Sequence, residues 1–243
     1  SYAQHVSAKL GSPRSGYAFG YFQRPFRPGD YGYFIVIPPS PKEKPEIQRQ
    51  RYRSLNRWWA QVVAPHEAIP GHHLQITVTM AEAPLLQKYF FNPAFIEGWG
   101  LYSEIMLREK GYFHHPKAYF ASLQMEAWRA ARVIIDQGLY LGFLSPEECE
   151  SLLIHTVGLE PLAAKLETAK QKRRPIYYSG YFIGSQYFLR IRERLETFLG
   201  KDFSLYWFHG ILLKIGPIPL DLLEKELWRQ AKILKKRKRV KKG

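Results

Sequence analysis

The chain has 243 residues and a mass of 28.5 kDa, enough for one large domain with a sizeable core. Lys and Arg number 36 against 21 Asp and Glu, a formal net charge of +15, yet 46% of residues are apolar and 15% aromatic. That content excludes a disordered basic linker. The single cysteine, Cys149, excludes a disulfide framework and any cysteine-based zinc finger.

No run of about eighteen apolar residues is present to span a bilayer. The opening Ser1-Tyr2-Ala3-Gln4-His5 carries no apolar leader pattern. It reads as the cut end of something longer and leaves the compartment open, with the cytoplasm slightly favoured.

Residues 1–45 are rich in Gly, Pro and aromatics, with one apolar burst, Tyr33 to Ile37, which predicts a strand ended by Pro38-Pro39-Ser40-Pro41. From Pro45 the texture becomes helical: Tyr52, Leu55, Trp58, Trp59 and Val62 recur at spacings of three and four. Further helices are predicted over 66–90, 94–110, 116–141, 146–155, 159–172, 179–199 and 219–236. Ser145-Pro146-Glu147-Glu148 is a start signal, and Gly111, Gly142 and Gly200 suit helix ends. The predicted fold class is mainly α: a helical domain over 46–231 after a short N-terminal β-containing segment.

The charge is uneven. Residues 232–243 carry eight positive charges and no negative one, which predicts a solvated, disordered tail with attraction to anionic surfaces as the alternative. A second basic run, Lys165 to Arg174, is interrupted by Glu167 and reads as a helix surface leading into a loop. Neither stretch alternates with aromatics as a base-stacking platform does, so nucleic acid is a minor partner class.

The chemistry concentrates in His66-Glu67-Ala68-Ile69-Pro70-Gly71-His72-His73-Leu74-Gln75, which holds three of the eight histidines. Imidazole is the commonest zinc donor, and catalytic zinc usually keeps three protein ligands and one open position. In the plain H-E-x-x-H motif two histidines share a helix face with a glutamate base between them. Here the fifth position is Pro70, so Pro70-Gly71 reads as a two-residue insertion. On an ideal helix His66 and His72 would point about 120° apart, whereas His73 would share the face of His66 but lie roughly 10 Å along the axis. A local bulge favours His72 as second ligand, with His73 as the alternative.

A third ligand is expected on a later helix. Glu97 lies 25 residues after His72, and Glu104 is seven further on, on the same helix face. Glu97 is the candidate ligand; Glu104 is placed to hydrogen-bond a ligating imidazole. Arg129, Arg132 and Asp136 form one helix stripe, suited either to a substrate carboxylate or to internal pairing with Asp136 or an active-site glutamate.

These segments resemble the DUF885 family, bacterial-type proteins related at a distance to the zincin metallopeptidases. The likeness rests on Arg27-Pro28-Gly29 with the following strand, the His66–Gln75 element, Glu97-Gly98-Trp99-Gly100-Leu101-Tyr102-Ser103-Glu104, and Arg129, Arg132 and Asp136-Gln137-Gly138-Leu139. It continues through Pro175, Tyr181, Ile183, Gly184, Phe208-His209 and Pro217-Ile218-Pro219-Leu220.

The resemblance implies a helical zincin-like fold, with the chain matching the C-terminal half of longer members. It implies hydrolysis of peptide bonds with one Zn²⁺ on His66, His72 and Glu97, Glu67 as general base and Tyr181 as donor to the oxyanion. Tyr177 and Tyr178 compete for the donor role, and His209 becomes a substrate-site candidate. The family usually has histidine where this chain has Tyr140, and often Gln where it has Tyr177.

Implied partners are a peptide substrate and a second chain, a missing N-terminal half or another copy, to cover exposed helix faces. Two further function classes remain: an inactive helical binding protein, and a basic module for anionic surfaces led by the tail.

Overall fold

The computed structural model of the chain describes residues 6–10, 20–23 and 32–240. It opens with a three-stranded sheet in the order β1-β3-β2, built from β1 (Val6–Leu10), β2 (Gly20–Gln23) and β3 (Gly32–Val36). Strand β3 runs parallel to β1, with Val6 opposite Gly32, and antiparallel to β2, with Gly20 opposite Val36. The sequence predicts only β3, as Tyr33 to Ile37. The other two are four- and five-residue segments too short to show a clear alternation.

The rest of the described chain is helical. Helix α1 (Pro45–Ser54) is followed by α2 (Arg57–Glu67), whose Asn56 side chain accepts from the backbone N–H of Trp58 and Trp59, both at 3.0 Å. The long helix predicted over 66–90 is in fact broken twice. Helix α3 (His72–Glu82) starts after Pro70-Gly71, and α4 (Leu85–Tyr89) after Pro84, because each proline lacks the N–H a continuous helix needs.

Helix α5 (Pro93–Glu109) is capped by Asn92, and α6 (Pro116–Leu141) ends at Gly142 with φ 75°. Helix α7 (Pro146–Leu152) opens at the expected Ser145 start, where Ser145 and Glu148 form a capping box, and continues into a π-helical turn at Leu153–Val157. Helices α8 (Pro161–Arg173), α9 (Ser179–Leu199), α10 (Leu205–Ile215) and α11 (Leu220–Val240) complete the fold.

Two departures from the sequence reading have physical causes. Helix α10, LYWFHGILLKI, is apolar almost throughout, so no helical period stands out; its signal is Ser204, whose side chain caps Trp207. The basic tail is helical to Val240 rather than a disordered run. Leu223, Leu227 and Ala231 form a buried stripe that anchors α11, and the Lys235 ammonium donates to the Phe198 carbonyl at 2.5 Å, near the end of α9. Residues 241–243 of the tail lie outside the described residues.

The apolar interior falls into two clusters. Trp59, Val62 and Val63 of α2, Met125, Trp128 and Ile135 of α6, Leu153 and Ala164 make the first, which Phe34 of β3 joins. Val78 of α3, Phe95, Trp99 and Tyr102 of α5, Phe188 and Ile191 of α9, Leu212 of α10 and Leu223 of α11 make the second. Helix α2 belongs to the first, α3 and α5 to the second, so the segment joining α2 to α3 crosses the seam.

Helices α5 and α9 meet at backbone contact. A Cβ on Gly98 would lie 2.6 Å from the Gly184 Cα, and one on Gly184 only 1.8 Å from the Ala94 carbonyl oxygen. No side chain fits there. Gly184→Ala should therefore force the helices apart and destabilise the fold by about 3 kcal/mol, at the upper end of overpacking costs. Gly210→Ala, where nothing lies within 4 Å of the added Cβ, should instead stabilise α10 by about 0.5–1 kcal/mol. Urea denaturation of the two variants checks the opposite signs.

Candidate metal centre

The segment between α2 and α3 rearranges the histidines. Instead of helical i−4 bonds, the Gly71 N–H donates to the Pro65 carbonyl at 3.0 Å and the His73 N–H to the Ala68 carbonyl at 3.1 Å. This wider turn folds its own backbone onto itself: a Cβ at Gly71 would meet the His66 carbonyl oxygen at 1.8 Å. Only glycine allows it. The turn is pinned by the Trp99 indole N–H, which donates to the carbonyls of Pro70 (2.9 Å) and Gly71 (3.2 Å).

The bulge removes the 120° offset of an ideal helix. The rings of His66 and His72 stand 4.7 Å apart and perpendicular. Glu97 arrives from α5, its Oε2 3.2 Å from His72 Nε2. Ligand atoms of His66, His72 and Glu97 lie within 4.8 Å of one another, and all three residues are buried. His73 is buried as well but lies outside this group, the one such group among the described residues.

Each imidazole is oriented from behind. His66 Nδ1 is 2.6 Å from Glu104 Oε1, and His72 Nδ1 is 3.3 Å from Gln75 Oε1. A carboxylate or amide oxygen on Nδ1 fixes the tautomer that leaves Nε2 free to ligate. Gly100 brings the α5 backbone against the His66 ring, since a Cβ there would be 2.5 Å from its Cε1. Glu104 was expected in this supporting role; Gln75 and Gly100 were not singled out, although Gln75 follows His72 by one helical turn.

Two buried imidazoles and one buried carboxylate, with partners on both Nδ1 atoms, are the donor set of a His₂Glu zinc site. These residues fit that ion. Burial opposes charge on Glu97, but its bonds to His72 and Tyr177 outweigh the burial and hold the carboxyl down to about 2. Burial likewise opposes charge on His72, and the Glu97 contact overrides it, pushing the imidazole up to about 9.

Glu67 is half-buried at the end of α2. Burial raises its pKa and Glu97 adds to this, while His66 and His72 work in the opposite direction. Tyr181 stacks parallel to His66 with ring centroids 6.3 Å apart, and its hydroxyl is unbonded among the described residues. Burial, then the Glu97 charge, holds that hydroxyl protonated, well above its usual range. Tyr177 donates its hydroxyl to Glu97 Oε1 at 2.5 Å, whereas Tyr178 is buried beside Arg132.

The arginine stripe is committed to internal partners. Arg129 Nη2 donates to Glu104 Oε1 at 3.3 Å, and Arg132 Nε to Glu167 Oε1 at 2.6 Å. Asp136 takes neither; its Oδ2 accepts from the Ser179 N–H (3.1 Å) and hydroxyl (2.6 Å) at the start of α9. Glu167, which the sequence places on a basic helix surface, is only 1% exposed.

His209 lies outside the metal cluster. Its Nε2 is 2.8 Å from the Tyr102 hydroxyl, and its ring packs edge-on against Trp99. Burial, reinforced by Arg192, lowers His209 to about 4, which keeps it neutral near pH 7. Tyr140 is exposed on α6.

With the geometry in hand, the class is a mainly helical domain with a buried His₂Glu cluster at the seam of two cores. The chain belongs to the family described as "Bacterial protein of unknown function (DUF885)", whose model matches residues 12–227. Among solved structures it is similar to "the putative lipoprotein from Colwellia psychrerythraea", with TM-score 0.81 and 26% identity over 93% of this chain and 38% of that one. It is also similar to "a putative lipoprotein of unknown function from Shewanella oneidensis", with TM-score 0.78 and 22% identity over 93% of this chain and 40% of that one.

The chain thus spans less than half the length of either. No curated protein matches it. Among the described residues no helix is long and apolar enough to cross a membrane.

The buried Arg132–Glu167 pair carries a pH signature. Burial alone would raise the Glu167 carboxyl, but the Arg132 charge and Lys170 outweigh it and hold it down to about 2. A carboxyl depressed on folding contributes stability above its unfolded value of about 4.5, which is lost as pH falls toward about 2. Glu167→Gln should destabilise the chain by about 3–5 kcal/mol at pH 7, by leaving a buried guanidinium uncompensated. The gap between parent and variant in urea denaturation should shrink at pH 3.

Proposed function

We propose that the chain carries the catalytic centre of a zinc-dependent hydrolase acting on peptide bonds. The observation that supports this most is the convergence of His66, His72 and Glu97 with both Nδ1 atoms already engaged. That arrangement presents Nε2 of each histidine and one carboxylate oxygen to a single point. A cation held there supplies a Lewis acid that polarises a scissile carbonyl and makes water acidic enough to attack at neutral pH.

The remaining roles fall to two further groups. Glu67, adjacent to His66 in sequence and electrostatically coupled to His66 and His72, accepts the proton of the attacking water and passes it to the leaving amine. Its burial-raised pKa suits a group that must take up and release a proton in one cycle. Tyr181, protonated and with no other hydrogen bond among the described residues, donates to the developing oxyanion. Glu104 and Gln75 hold the imidazoles, and Trp99 holds the turn that aligns them.

A partner surface accompanies the reading. Leu85, Leu86, Tyr89, Phe90 and Phe91 are exposed, and Phe91 stacks on Tyr177, whose hydroxyl meets Glu97. Contiguous apolar exposure of this kind marks a surface that binds something. In the two solved relatives, more than half of the chain lies beyond the part matched here. A covering segment or second chain is the corresponding partner.

Elemental analysis of the chain reconstituted with zinc should return one ion per chain, and His66→Ala or Glu97→Ala should lose it. Glu67→Gln should keep the ion yet slow hydrolysis of a quenched fluorescent peptide library by about 10²–10⁴-fold. A parent chain that takes up no stoichiometric metal, or a Glu67→Gln variant as active as the parent, sinks the reading.

A further inference from the structure

The turn between α8 and α9 holds a non-glycine residue in the left-handed region. Ile176 has φ 69° and is 75% exposed. A β-branched residue in that conformation is strained, and an isoleucine this exposed recovers little through burial. What the turn achieves is the placement of the next residue.

The Tyr177 ring stacks on Phe91 with centroids 6.1 Å apart at 10°, meets Tyr178 edge-on at 4.9 Å, and lies 5.7 Å from the Arg174 guanidinium. Held on these sides, its hydroxyl donates to Glu97 Oε1 at 2.5 Å. The other carboxylate oxygen, Oε2, is the one that faces His72 Nε2. The two oxygens of one ligand therefore have separate partners.

We infer that Tyr177 is a positioning residue of the metal centre: by occupying Oε1 it makes Glu97 a one-oxygen ligand through Oε2. This rests on the metallohydrolase reading and adds a coordination rule to it. A carboxylate free to turn can give both oxygens to one cation and fill the position that substrate or water needs. Tyr177 prevents that turn. Its hydroxyl acts through Glu97. The strain at Ile176 is the cost of bringing the hydroxyl to that oxygen.

Cobalt(II) is the probe, because its visible absorption weakens when a four-coordinate site becomes five-coordinate. Cobalt would be added to the metal-free parent chain and to Tyr177→Phe, with affinity measured against a chromophoric chelator and folding checked by thermal denaturation without metal. The expected result is a tenfold or greater loss of affinity, the usual consequence of removing a partner of a metal ligand, together with weakened visible bands.

An unchanged cobalt spectrum in Tyr177→Phe overturns the assignment whatever the affinity does, since a packing defect alone would leave the coordination number intact. Should Tyr177→Phe fail to fold, Tyr177→Leu, which also lacks the hydroxyl, is read in the same way. A parent chain that binds no cobalt overturns the metallohydrolase reading itself; a parent that binds it with a spectrum indistinguishable from the variant's overturns only the role of Tyr177.

Discussion

The backbone contact between α5 and α9 is the constraint on which the rest of the centre depends. Gly98 and Gly184 let two long helices approach until only backbone separates them. At that distance, residues on adjoining turns of the two helices meet. Glu97 and Glu104 on one side, and Tyr181 with the preceding Tyr177 on the other, enter the same small volume. Were the helices at the ordinary interaxial distance of about 8–10 Å, the Tyr177 hydroxyl could not reach Glu97. The glycines give up helix propensity and contribute no burial of their own; their value lies in what their absent side chains admit.

Around that contact, charge is handled by pairing. Glu104 is shared between His66 and Arg129, while Glu167 answers Arg132. A buried guanidinium without an acid would be severely destabilising, and a well-made pair is close to neutral against apolar packing. Their advantage is therefore geometric. Each pair fixes the rotation of α6 against a neighbour, α5 through Glu104 and α8 through Glu167. Asp136 does the same for α9 by holding both polar groups of Ser179. With both arginines engaged in this way, the stripe on α6 serves to orient helices rather than to bind substrate.

The centre was more legible in the sequence than its surroundings. His66-Glu67 with a later Gly71-His72 carries its meaning in residue types and spacing, and Glu97, seven residues before Glu104, carries its own in helical period. The bulge was deducible because Pro70 cannot continue a helix. What stayed hidden was anything set by long-range packing. Glu167 sits among lysines and arginines, and local charge gave no hint that it is the buried partner of a residue 35 positions earlier.

The same holds for the remaining departures. Helix α10 is apolar at most positions, which masks its period in the sequence. The tail looked disordered because its charges outnumber its apolar residues, but Leu223, Leu227 and Ala231 anchor the helix one turn earlier, and it propagates from there. Tyr177 could be named only as one of three tyrosines, since which of them meets Glu97 is decided by the turn at Ile176.

The run from Leu85 to Phe91 has a consequence for the chain in solution. Five large apolar side chains in seven positions face water, and apolar area of this kind attracts its like at about 25 cal/mol per Å². Opposing that attraction is a net charge of +15, which makes any two copies repel. The repulsion reaches only about 8–10 Å at moderate ionic strength, whereas the apolar attraction is not weakened by salt. The colloidal behaviour of the molecule is thus a contest between a local patch and a global charge, and the ionic strength of the medium decides it.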